Sequence, residues 1–342
     1  MHAVRLQLQW VVQAQFAGYL VASKKGFYAD QGLDVAILPG GIDVVPQAVL
    51  AQGGADFAIS WAPKALASRE QGVLTTNVAQ VFQKSGTLQI AWADSGIRTP
   101  ADFKGKRIGS HGLGNEIEEE AGITKAGLDP AVDVVLVPQG SGVSALLNRE
   151  VDVAHGMTYN EYAQLLETRN PETGELYKAA DFIIINDANE GIGMYQDGIW
   201  ASQERLEDPE YQAVTQKMVT ASLAGWIYCR DNPQESAEIV TAIGSNLGAS
   251  HQLWMLNEVN KLIWPSPAGI GVIVPELWAQ TVAIARSTKD GKGSTVITAE
   301  PAAESYTNTY AQAANTELAA SGLDTTGAGF APLTVTLHEG GN

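Results

Sequence analysis

Three aromatic rings and two side-chain amides fall between Trp10 and Tyr19, as Trp10, Gln13, Gln15, Phe16 and Tyr19. There a first strand gives way to a first helix, a junction usually filled with Gly, Ser, Asp or Asn. The same residue types recur at Trp61, Trp92, Asn115 and Tyr159-Asn160-Glu161-Tyr162, at further strand ends. Flat rings offer stacking faces, and amides can pair with the polar edge of a planar heterocycle. Any one Trp could simply fill core. The set points to recognition of a ligand outside the carboxyl ends of strands, where open α/β sheets bind them.

Other chemistries find little support. The loop Gly109-Ser110-His111-Gly112-Leu113-Gly114 follows a strand and precedes a helix, a context in which backbone amides can face an anion. Its spacing is not that of a dinucleotide fingerprint, and no phosphate-binding G-x-x-x-x-G-K-[ST] occurs. The helix after it carries Glu116, Glu118, Glu119 and Glu120. The last three are expected to complement the macrodipole at an exposed helix start. A neutral polar ligand suits this charge better than a phosphate.

His2, His111, His155, His251 and His338 show no metal-ligand spacing, so no metal site is expected. His111 and His155 each stand beside glycine at apparent strand ends, where a ligand could sit, but His155 is read as structural or solvated. No nucleophile elbow or local Ser-His-Asp order is present. The single Cys229, beside Trp226 and Tyr228, excludes an internal disulfide and is read as a buried helix position. Trp254 and Leu262 are assigned to packing.

The 342 residues favour about two domains, and 45% hydrophobic with 17% charged residues fits a globular chain. A formal charge of −17 without Lys/Arg clusters argues against nucleic acid as a partner. No apolar run reaches the roughly 18–20 residues that cross a bilayer. Met1-His2-Ala3 leads straight into strand-like sequence, which alone reads as cytoplasmic, or as a mature secreted domain whose leader was replaced by Met.

Positioning these residues requires an α/β frame. Strands are expected at Val4–Trp10, Val35–Leu38, Phe57–Ser60, Thr75–Phe82, Leu88–Trp92, Arg107–Gly109, Val132–Val137, Val151–Ala154 and Phe182–Ile185. Beyond Trp200 the chain turns helical, with helices at Pro209–Arg230, Pro233–Ala242, Gln252–Leu262, Pro275–Ala285 and Ala302–Ala320, and a polar loop at Ser287–Thr298. Two α/β lobes follow, with Leu88–Trp92 and Gly198–Trp200 as candidate crossings.

The segments LQWVVQAQFAGYLVASKKGFYADQGLDV, GGADFAISWAPKAL, GIRTPADFKGKRIG and VDVAHGMTYNEYAQ resemble the periplasmic binding proteins that share a fold with the yeast thiamine-pyrimidine synthase. That family includes ABC-importer receptors for pyrimidine thiamine precursors, sulfonates and riboflavin, and the chain looks most like the riboflavin-binding subgroup. Val12 replaces a usual proline, and His111 stands where a tryptophan is common. Pyrimidine-binding members more often carry a histidine where Phe16 stands.

The resemblance implies a two-lobed type II periplasmic-binding-protein fold, each lobe a mixed sheet flanked by helices, with two crossing strands as hinge. Residues 1–90 plus 199–342 would form one lobe and 91–198 the other. It implies a monomeric receptor outside the cytoplasm, membrane-anchored or periplasmic, that captures riboflavin and delivers it to a permease and ATPase. Rings would stack among Trp10, Phe16, Tyr19, Trp61 and Tyr159. Gln15, Asp43, Asn115, Glu116, Asn160 and Asp197 would supply hydrogen bonds. No cofactor is implied. A receptor for formylaminopyrimidine or hydroxymethylpyrimidine is the alternative. A pyrimidine synthase would need a Cys-rich segment and a lysine–histidine pair, which this chain does not offer.

Overall fold

A computed structural model describes residues 1–244 and 246–341. The described residues form ten strands: β1 (His2–Gln7), β2 (Leu33–Leu38), β3 (Phe57–Trp61), β4 (Thr75–Gln80), β5 (Thr87–Trp92), β6 (Arg107–Ser110), β7 (Val135–Pro138), β8 (Val153–Met157), β9 (Phe182–Asn186) and β10 (Asp197–Ser202). They make two five-stranded sheets, in the orders β2-β1-β3-β10-β4 and β7-β6-β8-β5-β9. Each sheet is mixed. In the first, β1 runs parallel to β2 and β3, while β10 is antiparallel to β3 and β4. In the second, β6 runs parallel to β7 and β8, while β5 is antiparallel to β8 and β9. Helices flank both sheets, giving the expected two-lobed α/β architecture.

The chain passes between the sheets at 81–86 and 187–196. Leu88–Trp92 and Gly198–Trp200 are therefore not the crossings. Both runs are paired on two edges inside a sheet, and that pairing holds them within one lobe. The crossings lie side by side: Phe82 N donates to Asp197 O at 3.0 Å, and Gly86 N to Gln196 Oε1 at 2.9 Å.

Close helix packing fixes the first lobe. Gly18, in the helix Ala17–Lys24, lies against Trp226 of the helix Pro209–Asp231, and a Cβ there would sit 2.3 Å from the indole. Gly225 faces Gly18 in turn, with room for a Cβ only 2.0 Å from the Gly18 carbonyl oxygen. Glycine is the residue that permits this approach. In the second lobe, Leu88, Ile90, Leu146 and Phe182 cover one face of the sheet, and Ile97, Phe103, Ile108 and Ile123 the other.

The run of glutamates departs from expectation. Glu118, Glu119 and Glu120, in the helix Ile117–Lys125, are all buried instead of dressing an exposed helix start. The helix start faces the crossings and the far lobe, so the carboxyls bond specific donors. Glu118 accepts from Ser85 Oγ and Met194 N, both at 2.6 Å, and from Gln196 Nε2 at 3.1 Å. Glu120 accepts from Gly291 N at 2.6 Å. Gly291 belongs to the expected loop 287–298, which is pinned against the second lobe, with Lys289 also paired to Asp129. The late helix begins at Thr309, after a short 3₁₀ turn, and not at Ala302. Among the described residues, no helix is long and apolar enough to cross a membrane.

Candidate functional site

Between the lobes lies a narrow cleft lined by Gln9, Trp10, Gln15, Trp61, His111, Asn115, His155, Met157, Tyr159, Asn160 and Glu161. Its walls come from the carboxyl ends of β1 and β3 on one side and of β6 and β8 on the other. Side chains leaving these ends converge because the parallel strands of each sheet point the same way.

After β1 the chain turns through a 3₁₀ segment, Ala14–Phe16. Gln13 Nε2 donates to Gln15 Oε1 at 2.7 Å, and Gln252 Oε1 accepts from Ala14 N at 2.8 Å. The amides therefore brace this turn, and Gln15 reaches the cleft. Trp10 meets His111 of the opposite lobe edge-on, with ring centres 5.5 Å apart, and His111 in turn meets His155 at 4.8 Å. Trp61 closes β3 and lies at the start of the helix Ala62–Glu70.

On the second lobe, Asn115 Nδ2 donates to Gly112 O at 2.9 Å, and Asn115 Oδ1 accepts from Lys64 Nζ across the cleft at 3.2 Å. Asn160 Oδ1 is held by Nε2 of the buried His251 at 3.0 Å, and its Nδ2 donates to Glu161 Oε1 at 2.9 Å. The loop glycines Gly112 and Gly114 adopt left-handed conformations. Their amides are taken by Ser110 Oγ and Glu116 Oε2, so this loop is shaped as a turn and not as an anion cradle.

Of the expected contact residues, Trp10, Gln15, Trp61, Asn115, Tyr159 and Asn160 come together at the cleft. Phe16 and Tyr19 do not. The 3₁₀ turn runs directly into the helix Ala17–Lys24 and directs both rings into the first lobe's core, where Tyr19 packs edge-on against Trp226 at 5.7 Å. Asp43 is exposed in the loop after β2 and does not line the cleft. Glu116 is half-buried and caps the amide of Gly114. Asp197 lies behind the cleft wall, paired in register with Trp61. Burial pushes Asp197 up to about 8, against the pull of Lys64 and the Trp61 indole. Among the described residues, neither Asp197 oxygen has a partner in a well-formed hydrogen bond.

The residues not assigned to the site from sequence are Gln9, His111, His155, Met157 and Glu161. The glycines beside the two histidines at strand ends are the available signal, although the sequence reading makes His155 structural or solvated. Its Nδ1 lies 3.1 Å from Glu119 Oε2.

Burial drives every titratable group of the lining toward its uncharged form. It lowers His111 to about 3, with the neighbouring His155 adding to the effect, and lowers His155 to about 4. It raises Glu161 to about 7 and Tyr159 well above the usual phenol range. Glu119, the partner of His155, is also raised well above the carboxylate range. The Glu119–His155 pair is therefore a neutral one. Lys64, the cation at the cleft's edge, is lowered to about 8 by burial. An uncharged ligand suits this lining.

A family model described as NMT1/THI5 like matches residues 13–236. The riboflavin-binding protein RibY of Chloroflexus aurantiacus is 28% identical over 240 residues, 69% of this chain and 65% of its own length. A formylaminopyrimidine-binding protein of Halalkalibacterium halodurans is 24% identical over 242 residues, 70% of each chain. A 4-amino-5-hydroxymethyl-2-methylpyrimidine phosphate synthase of Legionella pneumophila is 28% identical over 149 residues, 43% of this chain and 46% of its own. The periplasmic aliphatic sulphonate-binding protein SsuA of Escherichia coli shares the fold, with a TM-score of 0.60, 14% identity and coverage of 99% and 94% of the two chains.

Proposed function

Since the chain belongs to the NMT1/THI5-like family, we propose that it is the extracytoplasmic solute-binding component of an ABC importer, capturing riboflavin between its lobes. One observation carries this reading: rings from both lobes surround a cleft whose titratable groups are all shifted by burial toward their uncharged forms. Trp10, Trp61 and Tyr159 would stack on the ring system, and Gln15, Asn115 and Asn160 would meet its polar edges. Similarity to a relative named for riboflavin supports the choice of vitamin. Among the described residues, a phosphorylated flavin would find only Lys64 as a nearby cation, already bonded to Asn115.

The two lobes, divided at the crossings 81–86 and 187–196 and so a few residues away from the expected 90 and 198, would move as bodies about those paired crossings. Contacts made only when both lobes touch the ligand shift the open–closed population toward closure. The cleft is narrow, leaving only about 30 Å³ for the centre of a water-sized sphere. Riboflavin, with three fused rings and a ribityl chain, would need the lobes to part. The same narrowness favours a second reading, a receptor for formylaminopyrimidine or hydroxymethylpyrimidine, which the other receptor relative supports. In either case the bound form would dock on a permease driven by an ATPase. Turnover is not part of the proposal: the one cysteine, Cys229, is buried in the first lobe's core, away from the cleft.

Thermal-shift and fluorescence titrations against riboflavin, formylaminopyrimidine, hydroxymethylpyrimidine and thiamine test this. Riboflavin is expected to stabilise the protein and lose its fluorescence on mixing. If it does neither, the flavin assignment fails.

A further inference from the structure

Among the described residues, three buried polar atoms of the cleft lining lack a hydrogen-bond partner: Gln9 Oε1, Trp61 Nε1 and His155 Nε2. The Trp61 indole is turned toward Asp197. The other two stand in opposite lobes, Gln9 just after β1 and His155 within β8. Both residues are almost wholly inaccessible, at 4% and 1% exposure. Buried polar atoms are ordinarily paired, so two orphans in one cleft require an explanation.

His155 is held on every side except the one facing the cleft. Its Nδ1 is bonded to Glu119 Oε2 at 3.1 Å. Gln139 clamps its backbone, donating to His155 O at 2.7 Å and accepting from His155 N at 3.1 Å. A Cβ on Gly109 would lie 2.2 Å from Gln139 Oε1, so glycine there leaves the clamp its room. A histidine ring whose inner nitrogen is fixed has its tautomer and orientation fixed too. Among the described residues, Glu119 Oε1 has no partner and no cation sits against the pair. A proton on Oε1 would be buried without an acceptor, so the neutral acid carries it on Oε2, donates to Nδ1 and leaves the ring proton on Nε2 as a donor.

We propose that His155 Nε2–H and Gln9 Oε1 are a two-point hydrogen-bond clamp, one point per lobe, for a heterocycle edge bearing an adjacent acceptor and donor. Glu119 is the positioning residue that fixes the tautomer of His155. A carbonyl beside a ring N–H, or a ring nitrogen beside an amino group, satisfies both points at once. A ligand of this kind ties the lobes together, whereas a sulfonate or phosphate oxygen would meet Gln9 acceptor to acceptor. This inference rests on the reading of the cleft as a heterocycle site.

The test is a titration of wild type, His155→Phe, Gln9→Leu, Glu119→Gln and Glu119→Leu with riboflavin, and with 3-methylriboflavin, whose ring N–H is blocked. If riboflavin fails and formylaminopyrimidine or hydroxymethylpyrimidine stabilises the wild type, that compound replaces it. His155→Phe and Gln9→Leu are each expected to weaken binding about tenfold, the scale of one hydrogen bond. The ligand-free melting temperature of Gln9→Leu should hold or rise, since it removes an unpaired buried atom, while that of His155→Phe should fall, because the buried Glu119 Oε2 loses its partner. Glu119→Gln, whose amide still donates to Nδ1, should bind within about threefold of wild type, and Glu119→Leu should not. In wild type carrying ¹⁵N-labelled histidine, the Nε2 resonance of His155 should shift on ligand addition. Wild-type affinity in both His155→Phe and Gln9→Leu, or an unmoved resonance with ligand bound, overturns the clamp alone. If none of these compounds binds wild type, the heterocycle reading falls and the clamp with it.

Discussion

Lys64 Nζ donates to Asn115 Oδ1 at 3.2 Å, joining the helix after β3 in one lobe to the loop after β6 in the other. Gly114 makes room for the lysine stem, since a Cβ there would lie 3.0 Å from Lys64 Cγ. The bond crosses the cleft beside residues proposed to hold ligand, so it favours contact between the lobes.

Lys64→Met keeps much of the stem and removes the donor. A hydrogen bond to a charged group contributes about 1.5–3 kcal/mol, partly offset here by relief of a buried ammonium's desolvation. We expect a larger ligand-free radius of gyration by small-angle scattering and riboflavin binding weakened about fivefold. An unchanged radius together with wild-type affinity would remove the latch from the account.

The rings near the amino end divide into two mechanical classes. Trp10→Ala and Trp61→Ala should weaken riboflavin binding by about 1–3 kcal/mol, the scale of base–aromatic stacking. Phe16→Ala should cost about 3–5 kcal/mol of stability through an unfilled core volume, with little effect on the affinity of the folded fraction. Parallel melts and titrations separate the two. A stable Phe16→Ala variant that binds poorly would return Phe16 to the ligand contacts.

That division shows what the sequence could disclose. Strand-to-helix junctions are visible as composition, so Trp10, Gln15, Trp61, Asn115, Tyr159 and Asn160 could be gathered before any coordinates. The direction of a side chain within a junction depends on where the helix phase begins. One 3₁₀ turn at Ala14–Phe16 was enough to send Phe16 and Tyr19 into the core. The glutamates of the helix Ile117–Lys125 fail for a related reason. Their pattern suits an exposed helix start, and only the tertiary position of the crossings supplies Ser85, Gln196 and Met194 as partners. His155 was legible as a residue at a strand end, but its bonded Nδ1 and free Nε2 depend on Glu119, in another element.

Stability should fall as pH rises above about 6.5. Burial raises Glu161 to about 7, Asp197 to about 8 and Glu120 to about 9. Each folded carboxyl thus holds its proton where the unfolded one has lost it. Their contribution is complete below the unfolded values near 4 and is lost as pH climbs through 7 to 9. His111 and His155, lowered to about 3 and 4, act oppositely: their contribution is present above about 6.5 and lost as pH falls. Between about 4.5 and 6.5 the two sets oppose each other, and above 6.5 the carboxyls act alone. Lys64, lowered to about 8, restores part of the loss only between about 8 and 10.5. Calorimetric melts from pH 5 to 8.5 should show a falling midpoint that steepens above 6.5. A midpoint that rises from 6.5 to 8 would contradict the burial of these carboxyls.

Gly18→Ala sets two effects of opposite sign against each other. Gly18 is inside the helix Ala17–Lys24, where alanine is favoured over glycine by about 1 kcal/mol. The added methyl, however, would stand 2.3 Å from the ring of Trp226, which is fully buried. Tyr19 and Phe82 pack edge-on against that ring at 5.7 and 6.1 Å, so it cannot swing aside cheaply. Overpacking a close contact costs about 1–3 kcal/mol and more where backbones must part. The backbone of Gly225 presses on Gly18 from the same side. Packing should therefore win, with a net loss of about 1–2 kcal/mol and a lower melting temperature. The double variant Gly18→Ala with Trp226→Leu should lose less than the two single variants together, because a smaller side chain clears the methyl. A melting temperature at or above wild type for Gly18→Ala would mean that the two helices stand further apart than their glycines require.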